Sequence, residues 1–139
     1  MRVFVYFVGK PKDPNARAMC EEYVKRTTRY FGCEMREVNP ARFDAWARHP
    51  SATKIVLDAA GRAFDSVAFT ELLSKAEMQG RDLVFLIGGF DGPPASWIAQ
   101  ADMLLSLSPL TFPHELARVV LLEQIYRAAT AMRGHPYPR

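Results

Sequence analysis

Five short apolar runs, separated by stretches of helical periodicity, leave this chain of 139 residues few architectures to fold into. Val3 to Val8 reads as a first strand, followed by a Pro-Lys-Asp-Pro-Asn turn. Over residues 15–30, Ala16, Met19, Cys20, Tyr23, Val24 and Thr27 then recur at helical spacing, with Arg17, Glu21, Glu22, Lys25 and Arg26 outside. Cys33 to Val38 gives a second strand in which Cys33, Met35 and, weakly, Glu37 alternate with Glu34 and Arg36. A short helix is expected over Ala41 to Arg48, with Phe43, Trp46 and Ala47 inward and Pro50 as its stop. Lys54 to Leu57 begins a third strand that Asp58-Ala-Ala-Gly61 closes. Asp65 or Ser66 caps a helix running to Gln79, and Gly80 ends it. Leu83 to Ile87 is an unbroken apolar run stopping at Gly88-Gly89, as in a strand buried on both faces. Pro93-Pro94 open a short helix to Ala101, the strand 103–107 follows, and a last helix covers about 112 to 133.

This alternation predicts an α/β fold with a mostly parallel sheet flanked by helices. The length is that of a single domain, residues 1–139, able to bury roughly two-thirds of its unfolded surface. In the last helix Leu116, Val119, Val120, Leu121, Leu122, Ile125 and Tyr126 point in nearly every direction around the axis. Such a helix must be covered on more than one side. In so small a domain, one side is expected on the sheet and another on a second subunit, which makes a homodimer.

A composition of 49% hydrophobic and 24% charged residues is that of a soluble globular protein and argues against disorder. The net charge of +3 permits RNA or another polyanion as partner without requiring one. No apolar run of about 18 residues is present, so no membrane helix is expected. The apolar run in the first ten residues is too short for a secretory core. Cys20 and Cys33 lack a C-x-x-C spacing and a histidine nearby, and are expected as buried or half-buried free thiols in a reducing cytoplasm.

Several chemistries are disfavoured by missing motifs. The first β-α turn, Val-Gly-Lys-Pro-Lys, has no G-x-G-x-x-G, and neither a G-x-x-x-x-G-K-[ST] nor an H-E-x-x-H occurs. With three histidines, His49, His114 and His135, and no Cys/His cluster, no metal site is expected. No G-x-S-x-G elbow precedes a helix. What remains is the glycine turn at 88–92 and the loop Leu107-Ser-Pro-Leu-Thr-Phe112. In an open α/β sheet, ligands bind beyond the carboxyl ends of the strands, where these two loops belong. A pocket made from them would be apolar, with main-chain N–H and C=O groups as its polar contacts. That suits a flat neutral heterocycle such as adenine and suits a phosphate-rich ligand poorly. Taken singly, each loop has a plainer reading: Gly88-Gly89 merely ends a strand, and Ser108-Pro109 merely turns the chain.

Among the charged residues, Lys10, Lys12, Arg17, Lys25, Arg26 and Arg29 are either a phosphate-contacting cluster or an ordinary solvated helix face. His114 and Glu115 are expected to cap the long helix. Arg118, Glu123 and Arg127 are expected as its exposed or inter-subunit contacts.

Three segments carry a resemblance: L-I-G-G-F-D-G, then L-S-L-S-P-L-T-F-P-H-E-L-A-R-V-V-L-L-E-Q-I-Y-R-A, then the terminal G-H-P-Y-P-R. In this order they resemble the ribosomal RNA large subunit methyltransferase H family of the SPOUT superfamily, and K-I-V-L-D-A-A-G extends the likeness upstream. The resemblance implies a homodimeric enzyme that uses S-adenosylmethionine to methylate N3 of a pseudouridine in 23S rRNA within the ribosome. It implies a sheet whose C-terminal part is threaded into a trefoil knot, which general topology disfavours. Carried over by position, Leu57, Gly88, Leu107, Ser108, Pro109, Leu110, Thr111 and Phe112 would line the cofactor site. His135, Pro136, Tyr137 and Arg139 match the family's terminal motif on the RNA-facing side, with His135, Tyr137 and Arg139 as candidate catalytic groups. Pro138 stands where the family motif has a second His, and the stretch from about Val38 to Thr53 is shorter than usual. Two other classes are open to the residues alone: a non-catalytic RNA- or ribosome-binding domain, and a small-molecule enzyme on a flavodoxin-like sheet.

Overall fold

The computed structural model describes residues 1–137. Its strands are β1 (Arg2–Phe7), β2 (Gly32–Glu37), β3 (Thr53–Ala63), β4 (Leu83–Ile87) and β5 (Met103–Ser106). Its helices are α1 (Pro14–Thr27), α2 (Ala45–Arg48), α3 (Ser66–Met78), α4 (Ala95–Gln100) and α5 (His114–Met132). All strand pairs are parallel, in the order β2-β1-β4-β3-β5. The central strands are buried on both faces, and the pleat sends alternate side chains to two separate clusters. Val3, Val5 and Phe7 join Leu83, Phe85 and Ile87 beneath α3 and α5, whereas Phe4, Tyr6, Val84 and Leu86 pack with Ala45 and Trp97 on the opposite face.

Helix ends follow the local chemistry. Asp13 accepts from the N–H groups of Asn15 and Ala16 at the start of α1, and Asp65 accepts from Ala68 N–H at the start of α3. Gly80, at φ +65°, stops α3 as expected, and Arg81 N–H closes back on the Ala76 carbonyl.

Three local expectations change. Helix α2 begins at Ala45 rather than Ala41, because Asn39 folds residues 40–43 into a turn and Asp44 caps the single helical turn that follows. Its fully buried residue is Ala45, with Phe43 and Trp46 half-buried and Ala47 exposed. In β2, Glu37 is exposed. Most important for the site, Asp58-Ala-Ala-Gly61 does not close β3. Leu57 and Arg62 both pair with Leu105, so residues 58–61 bulge out and the strand resumes to Ala63. A Cβ on Gly61 would stand 2.6 Å from the Leu104 carbonyl carbon, which is why the return to the sheet requires glycine there.

Helix α5 lies between α1 and α3 over the sheet, and Val119, Leu121, Leu122, Ile125, Tyr126, Ala128 and Ala129 are all buried within one chain. Leu116, 45% exposed, and Val120, half-buried, form the one apolar side of the helix that the chain itself leaves open. Both cysteines are free and buried, and burial pushes their thiols up, Cys20 to about 11 and Cys33 to about 12.

Candidate active site

The bulge of β3 and the carboxyl ends of β4 and β5 meet the N-terminal turn of α5 around a cleft of about 310 Å³. Seven of the eight residues expected to hold a cofactor line it: Leu57, Gly88, Leu107, Ser108, Leu110, Thr111 and Phe112. Pro109 is exposed and is not among the lining residues. Asp58, His114 and Ala117 are among the other lining residues, none of them expected at a cofactor site from the sequence. For Asp58 no local signal was available, because the bulge that turns it out of the ladder is set by pairing with β5.

Two devices shape the cleft. A Cβ on Gly88 would stand 2.2 Å from both Gly92 C and Pro93 N, so the 88–93 turn closes on itself only with glycine at its base. Gly92 N–H donates to the Gly89 carbonyl at 3.0 Å and fixes the turn, leaving Phe90 at its tip 91% exposed. On the other side, Ser106 Oγ donates to the Ser108 carbonyl and Ser108 Oγ accepts from Leu110 N–H at 2.9 Å. Leu107, Thr111 and Phe112 make no main-chain to main-chain hydrogen bond among the described residues. Their backbone groups are thus free to meet a ligand, between apolar side chains and beside the single formal charge of the lining, Asp58. An adenine ring and an amino-acid tail bearing a cationic centre fit those donors, acceptors and that charge.

The candidate catalytic residues lie elsewhere. After α5, Gly134 at φ +69° turns the chain back, and His135 N–H donates to the Thr130 carbonyl. Thr130 Oγ1 donates to the Tyr137 carbonyl at 2.9 Å, while the Tyr137 hydroxyl donates to Glu123 Oε2 at 2.7 Å. Arg127 holds the same carboxylate through Nη2 at 2.9 Å. Burial first, and the Glu123 hydrogen bond second, raise the Tyr137 phenol above its ordinary range. It is a firm donor and a poor proton acceptor. Tyr137 N–H donates to His135 Nδ1 at 3.2 Å, so a neutral His135 carries its proton on Nε2. Arg139 lies outside the described residues.

His114 and Ala117 belong to the cleft, whereas the tail folds against Glu123 and Thr130. With 1.5 Å per helical residue, the Thr130 anchor of the tail is about 20 Å, and the Glu123 anchor of the Tyr137 hydroxyl about 9 Å, along α5 from Ala117. Neither His135 nor Tyr137 is among the residues that line the cleft.

Two other expectations are corrected. Pro113, without a side-chain hydrogen bond, precedes α5, and Glu115 serves a different helix: its Oε1 accepts from Lys12 N–H at 3.0 Å and Asp13 N–H at 3.1 Å. These two bonds hold its carboxyl below the usual range. Arg118 is not exposed but 3% accessible, stacked 4.1 Å over Phe7, with Nη2 donating to the Val8 carbonyl. No group of three or more potential metal-ligating side chains occurs among the described residues, and no helix there is long and apolar enough to cross a membrane.

Comparison with known proteins accounts for this arrangement. The sequence profile described as "Predicted SPOUT methyltransferase" matches residues 1–138. A ribosomal RNA large subunit methyltransferase H of Solibacter usitatus is 58% identical over 139 residues, covering 100% of both chains. One of Thermus thermophilus is 40% identical, covering 100% of this chain and 99% of the relative. Among solved structures, an AdoMet-bound rRNA methyltransferase from Sinorhizobium meliloti superposes with a TM-score of 0.60 at 13% identity, over 91% of this chain and 56% of that one. The SpoU methyltransferase AviRb from Streptomyces viridochromogenes, in complex with AdoMet, gives 0.53 at 15% identity, over 91% and 57%. These likenesses show a shared α/β fold, and the full-length identity decides the rest: the chain belongs to the ribosomal RNA large subunit methyltransferase H family of SPOUT methyltransferases.

Proposed function

We propose that this protein transfers a methyl group from S-adenosylmethionine to N3 of a pseudouridine in 23S ribosomal RNA. The observation that carries the reading is the convergence of Leu57, Gly88 and the 107–112 loop on one apolar cleft with unpaired main-chain groups. When bound there, S-adenosylmethionine supplies an electrophilic methyl on a sulfonium. The chain's contribution is alignment and exclusion of water: Ser108 fixes the loop, Gly88 lets the facing turn approach, and Asp58 offsets positive charge. Alignment of this kind is worth roughly 7–11 kcal/mol of a displacement barrier in favourable cases.

The acceptor side belongs to the tail. Tyr137 is a hydrogen-bond donor aimed by Glu123, suited to holding a nucleobase carbonyl rather than to removing its proton. His135, exposed, becomes a proton acceptor through Nδ1 once the Tyr137 N–H bond is released. Because no tail residue lines the cleft of its own chain, the working site combines the cleft of one subunit with the tail of another, in a homodimer. Family membership, and the way the 57–59, 87–93 and 105–112 segments line one cleft, support a C-terminal trefoil knot within one domain.

Calorimetric titration with S-adenosylmethionine, joined to methylation assays on ribosomes, free 23S RNA and no RNA, tests the reading. Binding with RNA-dependent methyl incorporation is expected. Absence of binding, or equal turnover without RNA, refutes it.

A further inference from the structure

A second and larger cleft, about 580 Å³, opens at the same edge of the sheet, between α1 and the carboxyl ends of β1 and β2. The first turn of α5 separates the two: His114 and Ala117 face the cleft already described, Glu115 and Arg118 this one. With strands about 4.8 Å apart and the order β2-β1-β4-β3, the two lie about 10 Å from each other. The walls are apolar, from Phe7, Val24 and Met35, and the floor carries Arg118. That guanidinium is 3% exposed; Nη2 donates to the Val8 and Gly9 carbonyls, but Nε has no hydrogen-bond partner among the described residues, and the nearest carboxylate, Glu115, is 4.0 Å from Nη1. A buried cation short of acceptors is unusual in a finished core and asks for a ligand that brings one.

The charges around the rim agree. Arg17 is paired with Glu21 at 3.5 Å, and Glu115 is already occupied by two backbone N–H groups. Arg36 and Glu37 offset each other in formal charge. Lys10 and Lys25 have no ion-pair partner among the described residues, so the cleft has a net positive mouth over an apolar interior. That combination fits an aromatic base joined to a phosphate.

We propose that this cleft binds one nucleotide of the RNA, a neighbour of the methylated residue, with its base between Val24, Met35 and Phe7, a base carbonyl toward Arg118, and its phosphate toward Lys10 and Lys25. The assignment of RNA as the source rests on the function proposed above. It extends that function by giving the substrate a second point of attachment on the same subunit.

The test is a titration of the full chain followed by nuclear magnetic resonance. S-adenosylmethionine added alone, read at Leu107 and Leu110, tests the methyl-donor site separately. Uridine 5′-monophosphate is then added with the donor present and read at Ala16, Val24 and Met35. Shifts at those three residues are expected, with uridine or inorganic phosphate at least tenfold weaker. Ala16→Trp, which places a large side chain in the cleft and leaves Arg118 itself unchanged, should weaken the nucleotide at least tenfold. Lys25→Ala, a surface change that leaves packing intact, should weaken it several-fold. No shift at the three residues, unchanged affinity in both variants, or phosphate binding as tightly as the nucleotide would each overturn the proposal.

Discussion

Tyr137 donates its hydroxyl to Glu123 Oε2 at 2.7 Å, across 14 residues and a reversal of the chain at Gly134. That bond, with Thr130 Oγ1 on the Tyr137 carbonyl, fastens the tail to α5. Tyr137→Phe keeps the ring against Tyr126, whose centroid is 4.8 Å away, and removes only the hydroxyl. A part-buried hydrogen bond to a charged acceptor is worth about 1.5 kcal/mol, so urea denaturation should show a loss near that size. Methylation should fall while calorimetric affinity for S-adenosylmethionine stays unchanged.

The same bond has a pH signature. The Tyr137 phenol is raised in the folded chain, so the neutral form is the one the fold favours. Its stabilising contribution is complete below the ordinary tyrosine value of about 10 and is lost as pH rises toward the folded value. Denaturation midpoints followed from pH 8 to 11 should therefore fall more steeply for the wild type than for Tyr137→Phe. Parallel curves would show that the phenol is neither buried nor held by Glu123 in solution.

Glu115 gives the opposite limb. Its carboxyl is depressed by the Asp13 and Lys12 N–H groups, so its contribution is present above the ordinary carboxylate range and lost as pH falls through the lowered value. Glu115→Ala should lower stability at pH 7 and flatten the acid limb between about pH 5 and 3. Hydrogen exchange at the Lys12 and Asp13 amides should accelerate in the variant at neutral pH.

How much of this could be read in the sequence depended on how local the cause was. Leu83–Ile87 and Gly88 were legible because an apolar run and a glycine turn are local signals, and the 107–112 loop because it lies between a strand and a helix start. The bulge at Asp58–Gly61 was not, since those four residues spell a turn and only pairing with β5 returns the chain to the sheet. Glu115 sits at a helix start, where an acid reads as favourable to its own helix. Its actual partners are 102 and 103 residues away, beyond any periodicity. Arg118 reads as a solvent-facing charge in an apolar helix, and only the Val8 carbonyl and the Phe7 ring explain its burial.

Two glycines separate cleft geometry from general stability. Gly88→Ala drives a Cβ to 2.2 Å from backbone atoms of Gly92 and Pro93, which cannot swing aside as a side chain would. A loss of about 2–3 kcal/mol and abolished S-adenosylmethionine binding are expected. Gly80→Ala meets nothing within 4 Å and suffers only from φ +65°. It should cost about 1–2 kcal/mol and leave binding intact. Equal effects of both variants on binding would show that the 88–93 turn has no special part in the cleft.

The sharpest consequence concerns two chains at once. Tyr137 is tied to Glu123 and Thr130 and does not line the cleft that His114 and Ala117 face, and the proposed function takes the tail from a second subunit. A Gly88→Ala protomer would keep a sound tail and lose its cleft; a Tyr137→Ala protomer would keep the cleft and lose the aromatic donor. Each homodimer should be nearly inactive. In an equimolar mixture exchanged to equilibrium, half of the dimers carry one of each protomer, and every such dimer assembles one intact site out of two. Activity should therefore return to about a quarter of the wild-type level. If cleft and tail of the same chain worked together, mixing would restore nothing, because each chain would still be missing one half. The assay thus reads the subunit origin of the site directly from the amount of methyl incorporated.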